Sequence, residues 1–254
     1  MPQSRSSDSW DAALYAETAR YVTDHGNIIF GWLSPQPGER ILDLGCGDGV
    51  LTEKIRNAGT TVVGVDSNRE MVGAARGRGL DARVVRAEEM GFVEEFDAVF
   101  SNATLHWVLR ADKAVTGVRQ ALRPDGRFVA EFGGAGNVSA IVEALTQVLK
   151  RKGVEFADVS PWYFPTAEEY SALLEAHGFQ VRRVELIPRT TPLPGDVADW
   201  LRNFAVSVLG HLSEEGREAA IDDTRELLKP RRRDDKGAWS VDYVRLRVEA
   251  TRRD

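Results

Sequence analysis

ERILDLGCGDGVLTEKI, residues 39–55, decides the fold. Residues 40–44 read as a short strand, apolar from Ile41 to Leu44 except for Asp43. Gly45, Gly47 and Gly49 follow at alternate positions. Leu51, Ile55 and Ala58 then recur at helical spacing, which seats the next helix against a sheet. A strand, a glycine turn and a helix N-terminus together form a ligand seat: glycine lets a ligand approach the backbone, and the first helical N–H groups point at it.

The same rhythm repeats outward from this stretch. TTVVGVD (60–66) reads as a second strand, 68–77 as a helix, ARVVRAE (82–88) as a third strand and FDAVFSN (96–102) as a fourth. A helix covers 111–122, PDG (124–126) makes a turn, and RFVAEFGG (127–134) is a fifth strand. These strands are continuously apolar, so both faces are buried. That implies a mostly parallel sheet with helices on both sides. Upstream, residues 10 to about 33 read as helical, with Gly26 a break point. Downstream come a helix at 138–150, an aromatic-rich connection at 151–164, and a helix at 166–177 closed by Gly178. FQVRRVELI (179–187) is a sixth strand, and 196 to about 228 a helical insertion. SVDYVRLRVEA (240–250) alternates, which suits a sheet edge or an antiparallel partner.

Composition narrows the function classes. Lys plus Arg total 33 against 39 Asp plus Glu, a formal charge of −6. That opposes a partner whose phosphates must be tracked, so no nucleic acid is expected. The run Arg231-Arg232-Arg233 is followed at once by Asp234-Asp235 and reads as a solvated surface turn. Cys46 is the only cysteine, which excludes an intrachain disulfide and a cysteine metal cluster. MPQSRSSDSW at the start lacks an apolar targeting core, and no apolar stretch reaches the about 18 residues of a membrane span. A cytoplasmic protein with no membrane partner is expected.

The loop also discriminates between ligands. A nucleotide-phosphate loop needs Lys-Ser or Lys-Thr after its last glycine, and Val50-Leu51-Thr52 has no lysine. The dinucleotide pattern wants glycine at position 50, which is Val50. Asp43 and Asp48 put negative charge where a pyrophosphate would lie, and the same charge favours an ammonium group. Asp66 ends the second strand, where a carboxylate can take both hydroxyls of a ribose. S-adenosylmethionine has this description: a nucleoside without pyrophosphate, with a cationic amino-acid part.

ILDLGCGDG, VVGVDSNREMV, VVRAEEM, FDAVFSNATLHWV and LRPDGRFVAEF, in that order, resemble the motifs of the class I S-adenosylmethionine-dependent methyltransferases. The resemblance implies a Rossmann-like α/β fold: a mostly parallel seven-stranded sheet, helices on both faces, an antiparallel last strand and a small helical cap. It implies one domain over 1–254, with a core at about 36–190 and 238–250 and cap elements at about 10–33 and 196–229. S-adenosyl-L-methionine would be the cofactor and S-adenosyl-L-homocysteine the product. Asp43 then resembles the acid that receives the methionine ammonium, and Gly45, Cys46 and Gly47 the turn beneath the methionine part. Asp66 resembles the ribose acid. Ser67 and Met71 would meet ribose and adenine, Ala87 and Glu88 the adenine edge, and Asn102 and Trp107 the methyl-transfer end. Many relatives have aspartate where this chain has Arg86. WDAALY, NATLHWV, PTAEEYSALLEAHGF and DVADWLRNF further resemble the trans-aconitate 2-methyltransferase group, whose members methylate a carboxylate of small polyacids.

The expected reaction is methyl transfer to a small molecule, at an oxygen and possibly at a carboxylate. A carboxylate is already ionised at pH 7 and needs a grip rather than a base. The catalytic candidates are His106, four positions past Asn102, and Tyr15 and Tyr21 on the N-terminal helix. Against each stands a structural role: a loop cap for His106, seating of an amphipathic helix for the tyrosines. The substrate candidates are Trp10, Trp162, Tyr163 and Trp200, for which core packing is the competing role, and Arg110 and Arg189, with Arg202 a further cation. His177 reads as a helix C-cap, and no His, Cys, Asp or Glu spacing suggests a metal. Three other readings stay open: an N- or C-methyltransferase, an NAD-dependent oxidoreductase, and a non-catalytic S-adenosylmethionine-binding partner protein. The acceptor's identity, and monomer against homodimer, are left undecided.

Overall fold

β1 (Arg40–Leu44) pairs in parallel with β2 (Thr61–Asp66) on one side and β4 (Phe96–Asn102) on the other. A computed structural model describes residues 28–254; the expectations for Trp10, Tyr15, Tyr21 and the helix before residue 28 fall outside the described residues. β3 (Asp81–Val84) joins beyond β2, and β5 (Leu122–Gly133) beyond β4, both parallel. β7 (Ser240–Arg252) runs antiparallel to β5, and β6 (Phe179–Pro192) closes the edge. The order is β3-β2-β1-β4-β5-β7-β6. The strand order reverses between β1 and β4, the place where open α/β sheets bind ligands.

The strands are apolar on both faces because both faces are covered. Leu42, Val63, Val99, Phe128 and Leu246 enter one cluster with α3 (Ala111–Ala121) and α6 (Ala167–Ala176). Ile41, Val62, Ala98, Phe100 and Val129 enter another with Ile29 and Leu33, from the helical residues 28–33, and Ile55 of α1 (Val50–Asn57). Phe96, Phe100, Phe128 and Phe132 are fully buried, each worth about 1.5–3 kcal/mol by area. The third strand is shorter than forecast: β3 stops at Val84, and a 3-10 turn carries Ala87–Glu89. PDG lies inside β5. The pairing steps from Phe96↔Leu122 to Ala98↔Arg127, so residues 123–126 bulge out, with Asp125 at φ +60°.

The described chain divides into two compact units: 28–135 with Tyr163–Ile187 and Arg245–Asp254, and Gly136–Trp162 with Pro188–Val244. The first holds the sheet. The second holds α4 (Ser139–Arg151), α5 (Phe156–Val159), α7 (Val197–Phe204), α8 (Val206–Leu209) and α9 (Glu214–Arg232). Its core includes Trp162, Trp200 and Phe204, with ring centroids 6.2 and 5.1 Å apart in succession. The basic run ends a helix rather than forming a turn, with Arg231 and Arg233 exposed as expected. Arg231 and Arg232 form the last turn of α9, where cations suit the helix dipole, and Arg232 pairs with Asp242 at 2.8 Å in a mostly buried contact.

β7 is interior rather than an edge, and it takes the other arrangement that its alternation suited, an antiparallel partner, in β5. Leu246 and Val248 enter the core on one face, while Arg245 and Arg247 are buried on the other. Arg247 donates from Nε and Nη2 to the buried Glu131 Oε2, the Nε contact at 2.9 Å. Arg247→Met would leave Glu131 buried without this cation. Urea unfolding should show a loss of about 3–5 kcal/mol, and Glu131→Gln added to Arg247→Met should recover part of it.

Candidate active site

The loop after β1 turns at once because one acceptor holds two amides. The Gly45 and Cys46 N–H groups both donate to the Val65 carbonyl, at 2.7 and 3.0 Å. Gly45 sits at φ +78°, and a Cβ there would lie 2.0 Å from Thr104 Oγ1, so only glycine fits. Gly47, at φ +54°, is the opposite case: a Cβ there would meet nothing within 4 Å. That open cradle is where a ligand can approach the backbone. Asp66 closes the loop from the neighbouring strand, its Oδ2 accepting from Gly47 N–H at 3.0 Å and its Oδ1 from Asn68 N–H at 2.8 Å. A carboxylate offers about four acceptor positions, so capacity remains for hydroxyls.

The three loop carboxylates differ in electrostatic setting. Asp43 is fully buried, and its Oδ2 accepts from Thr52 Oγ1 at 2.6 Å. Burial pushes its carboxyl up to about 7, against the Thr52 hydrogen bond and helped by the charge of Asp66. Asp48 is neutralised: Arg78 donates from Nε to its carbonyl at 2.9 Å and reaches its carboxylate at 3.3 Å. The sequence argument weighted Asp43 and Asp48 alike against pyrophosphate, and Arg78 removes much of the second contribution. The Cys46 thiol is buried and pushed up by burial and by the charges of Asp43 and Asp66, so it is inert. With its N–H on Val65 and its carbonyl on Gly49 N–H, Cys46 shapes the turn.

The remaining cofactor candidates lie along the same edge. Asn68 caps α2 (Arg69–Gly77) by accepting from the N–H groups of Glu70 and Met71. This sets buried Met71 in the first turn beside exposed Ser67. Ala87 is buried, and Glu88 lies 3.8 Å from Arg86. Asn102 ends β4, level with Glu131 of β5.

His106 and Trp107 sit in the 3-10 turn Leu105–Trp107 just beyond, ring centroids 5.2 Å apart. His106 is buried, and its Nδ1 accepts from Gly133 N–H at 3.3 Å. Burial, then the charge of Arg245, holds it well below the ordinary histidine range. The ring is neutral, and with Nδ1 accepting, the proton sits on Nε2. His106 is therefore a hydrogen-bond donor rather than a general base. Tyr163 joins it by donating its N–H to the His106 carbonyl at 2.9 Å. Burial raises the Tyr163 hydroxyl, which disfavours a phenolate.

Arg110 is exposed at the start of α3. Arg202 binds Asp199 and Glu218 at 3.1 and 2.9 Å. Trp162, Arg189 and Trp200 belong to the second unit, where Trp200 Nε1 donates to Tyr243 at 2.7 Å and Trp162 and Trp200 build the core. Sequence reasoning missed Thr52, Thr104, Gly133 and Arg245. Only Arg245 carried a signal, being one of two arginines that alternate with Val244, Leu246 and Val248. Among the described residues, no group of three or more His, Cys, Asp or Glu could hold a metal ion, and no helix is long and apolar enough to cross a membrane.

Because Asp43 is raised above its unfolded value, the native chain keeps a proton that the unfolded chain has lost. Its contribution to stability is present at low pH and is lost as pH rises from about 4 through about 7. Asp43→Asn keeps an acceptor for Thr52. It should stabilise the protein at pH 8 by up to about 4 kcal/mol and have little effect at pH 4, read from urea unfolding at both.

The family described as Methyltransferase domain matches residues 42–130. An uncharacterized methyltransferase of Schizosaccharomyces pombe is 36% identical over 255 residues, covering 96% of this chain and 98% of the relative. A trans-aconitate 2-methyltransferase of Mycolicibacterium gilvum is 42% identical over 104 residues, 39% of this chain and 40% of its own length. That match is narrower than the span from WDAALY to DVADWLRNF over which the resemblance was read. In fold, the chain is similar to Haemonchus contortus phosphoethanolamine N-methyltransferase 2 in complex with S-adenosylhomocysteine, with a TM-score of 0.57 at 18% identity over 91% of this chain and 53% of that one. With a full-length relative of this identity, a matching domain and the glycine loop and carboxylates just described, the chain belongs to the class I S-adenosylmethionine-dependent methyltransferases.

Proposed function

We propose that the methyl group is delivered to an oxygen of a small-molecule acceptor, and that this oxygen belongs to the carboxylate of a small organic acid. The observation that carries the reading is the spent Nδ1 of His106. With Gly133 N–H on that nitrogen, the histidine at the end of β4 has no lone pair free for proton abstraction. An acceptor that arrives ionised suits such a site, and a carboxylate does so at neutral pH. The partial match to a trans-aconitate 2-methyltransferase supports the same acceptor class.

When bound, S-adenosylmethionine supplies a methyl group on a positively charged sulfur, which the acceptor oxygen takes as the carbon–sulfur bond breaks. This chain's residues would hold that cofactor and orient the acceptor. Asp43 would receive the ammonium group, whose charge favours the ionised carboxylate over the buried neutral form. The open backbone at Gly47 would lie along the methionine part, Asp66 would take ribose hydroxyls, and Met71, Ala87 and Glu88 would border the adenine. Asn102 and Trp107 would border the transferred methyl, where orientation supplies much of the rate.

Calorimetric titration should give saturable S-adenosylmethionine binding, and Asp66→Ala should weaken it by about tenfold to a hundredfold. Incubation with methyl-labelled cofactor and a panel of small acids, phenols and amines should yield methyl esters, identified by product mass. Labelling of phenols or amines alone would overturn the carboxylate reading.

A further inference from the structure

His106 and Arg245 are organised around one residue, Gly133. The Gly133 N–H fixes the imidazole through Nδ1, which leaves Nε2–H as the donor. Gly133 is also the β5 partner of Arg245 in the antiparallel pairing with β7. Both side chains are buried, at 7% and 6% exposure, and the Arg245 charge is near enough to help keep His106 neutral. A neutral donor and a cation, both desolvated, thus have Gly133 as a common neighbour. Charge-assisted hydrogen bonds are strongest away from water.

Three other arginines are less suited. Arg247, on the same face of β7, is committed to Glu131. Arg202 is exposed between Asp199 and Glu218, and Arg110 lies on the surface. Water competes for any anion at both positions. Arg245 need not be idle to serve. A guanidinium has five N–H donors in a planar fork, enough for a contact within the chain and for a carboxylate.

We propose that Arg245, together with the Nε2–H of His106, is the anion seat that selects a carboxylate-bearing acceptor and positions it for methylation. The proposal rests on the small-acid reading above and names the residue that enforces it. Arg245 grips a carboxylate oxygen by charge and by the fork, while His106 adds a neutral donor that cannot withdraw the nucleophile's electron pair.

The test uses the full chain saturated with S-adenosylhomocysteine, with trans-aconitate, citrate and succinate as probes and trimethyl trans-aconitate as the neutral control. Wild type should bind at least one acid and ignore the triester. Arg245→Met should weaken that binding by about tenfold to a hundredfold and raise the acid's KM in parallel, with S-adenosylhomocysteine affinity unmoved. Arg245→Lys, which keeps the charge and loses the fork, should fall between the two. A folded Arg245→Met protein that holds the acid as tightly as wild type overturns the role of Arg245 and leaves the small-acid reading standing. If Arg245→Met does not fold, Arg245→Lys decides: acid binding equal to wild type overturns the proposal, and a partial loss supports it. A wild type that binds none of the three acids and methylates a neutral acceptor overturns both.

Discussion

The Val65 carbonyl accepts two N–H groups, from Gly45 and Cys46, and the binding edge depends on that arrangement. It ends β1 at the level of β2 and bends the chain away from the sheet within one residue. The next residue of β2, Asp66, returns a carboxylate to Gly47 N–H. The glycine loop is thereby tied to the neighbouring strand by three hydrogen bonds before any ligand arrives. Thr104 fills the space where a Gly45 side chain would stand, so the loops after β1 and β4 also interlock. A ligand meeting this edge finds a preformed backbone, which reduces the ordering cost of binding.

Charge along the edge is managed differently at each carboxylate. Asp43 is kept near neutrality by burial, Asp48 is answered by Arg78, and Asp66 is held by two backbone N–H groups. A site prepared this way can accept a cation without standing repulsion between three ionised groups in its empty form. On the far side of β4 the balance inverts. Arg245 and a neutral donor histidine neighbour Gly133, and Arg247 is paired with Glu131. A cationic methyl donor is thus met by carboxylates, and an anionic acceptor of the kind proposed would be met by groups of opposite sign.

Much of this was legible locally. The apolar runs at 41–44, 60–66 and 96–102 suit strands covered on both faces, and each appears in the parallel part of the sheet. Asp66 was readable from its place at a strand end. Other features failed because their cause is remote. Arg78 reaches Asp48 across thirty residues of chain, and nothing near Asp48 announces it. In the Arg231–Arg233 run the outer two arginines are exposed as read, whereas Arg232, at the end of α9, takes Asp242 from β7. Arg245 was read as part of an amphipathic alternation, and its burial depends on which strands flank β7.

The sequence alone determined the strand–glycine–helix unit, the order of the elements and the family, since steric limits on backbone conformation and the spacing of apolar residues act over short chain distances. Tertiary structure alone decided which nitrogen of His106 carries its proton, which aspartate burial pushes toward its neutral form and which arginine's charge acts on the histidine. Those properties are set by burial and by charges brought together from strands more than a hundred residues apart, as with Gly133 and Arg245. Protonation and hydrogen-bond direction respond to local solvation and field, and neither exists until the chain has folded.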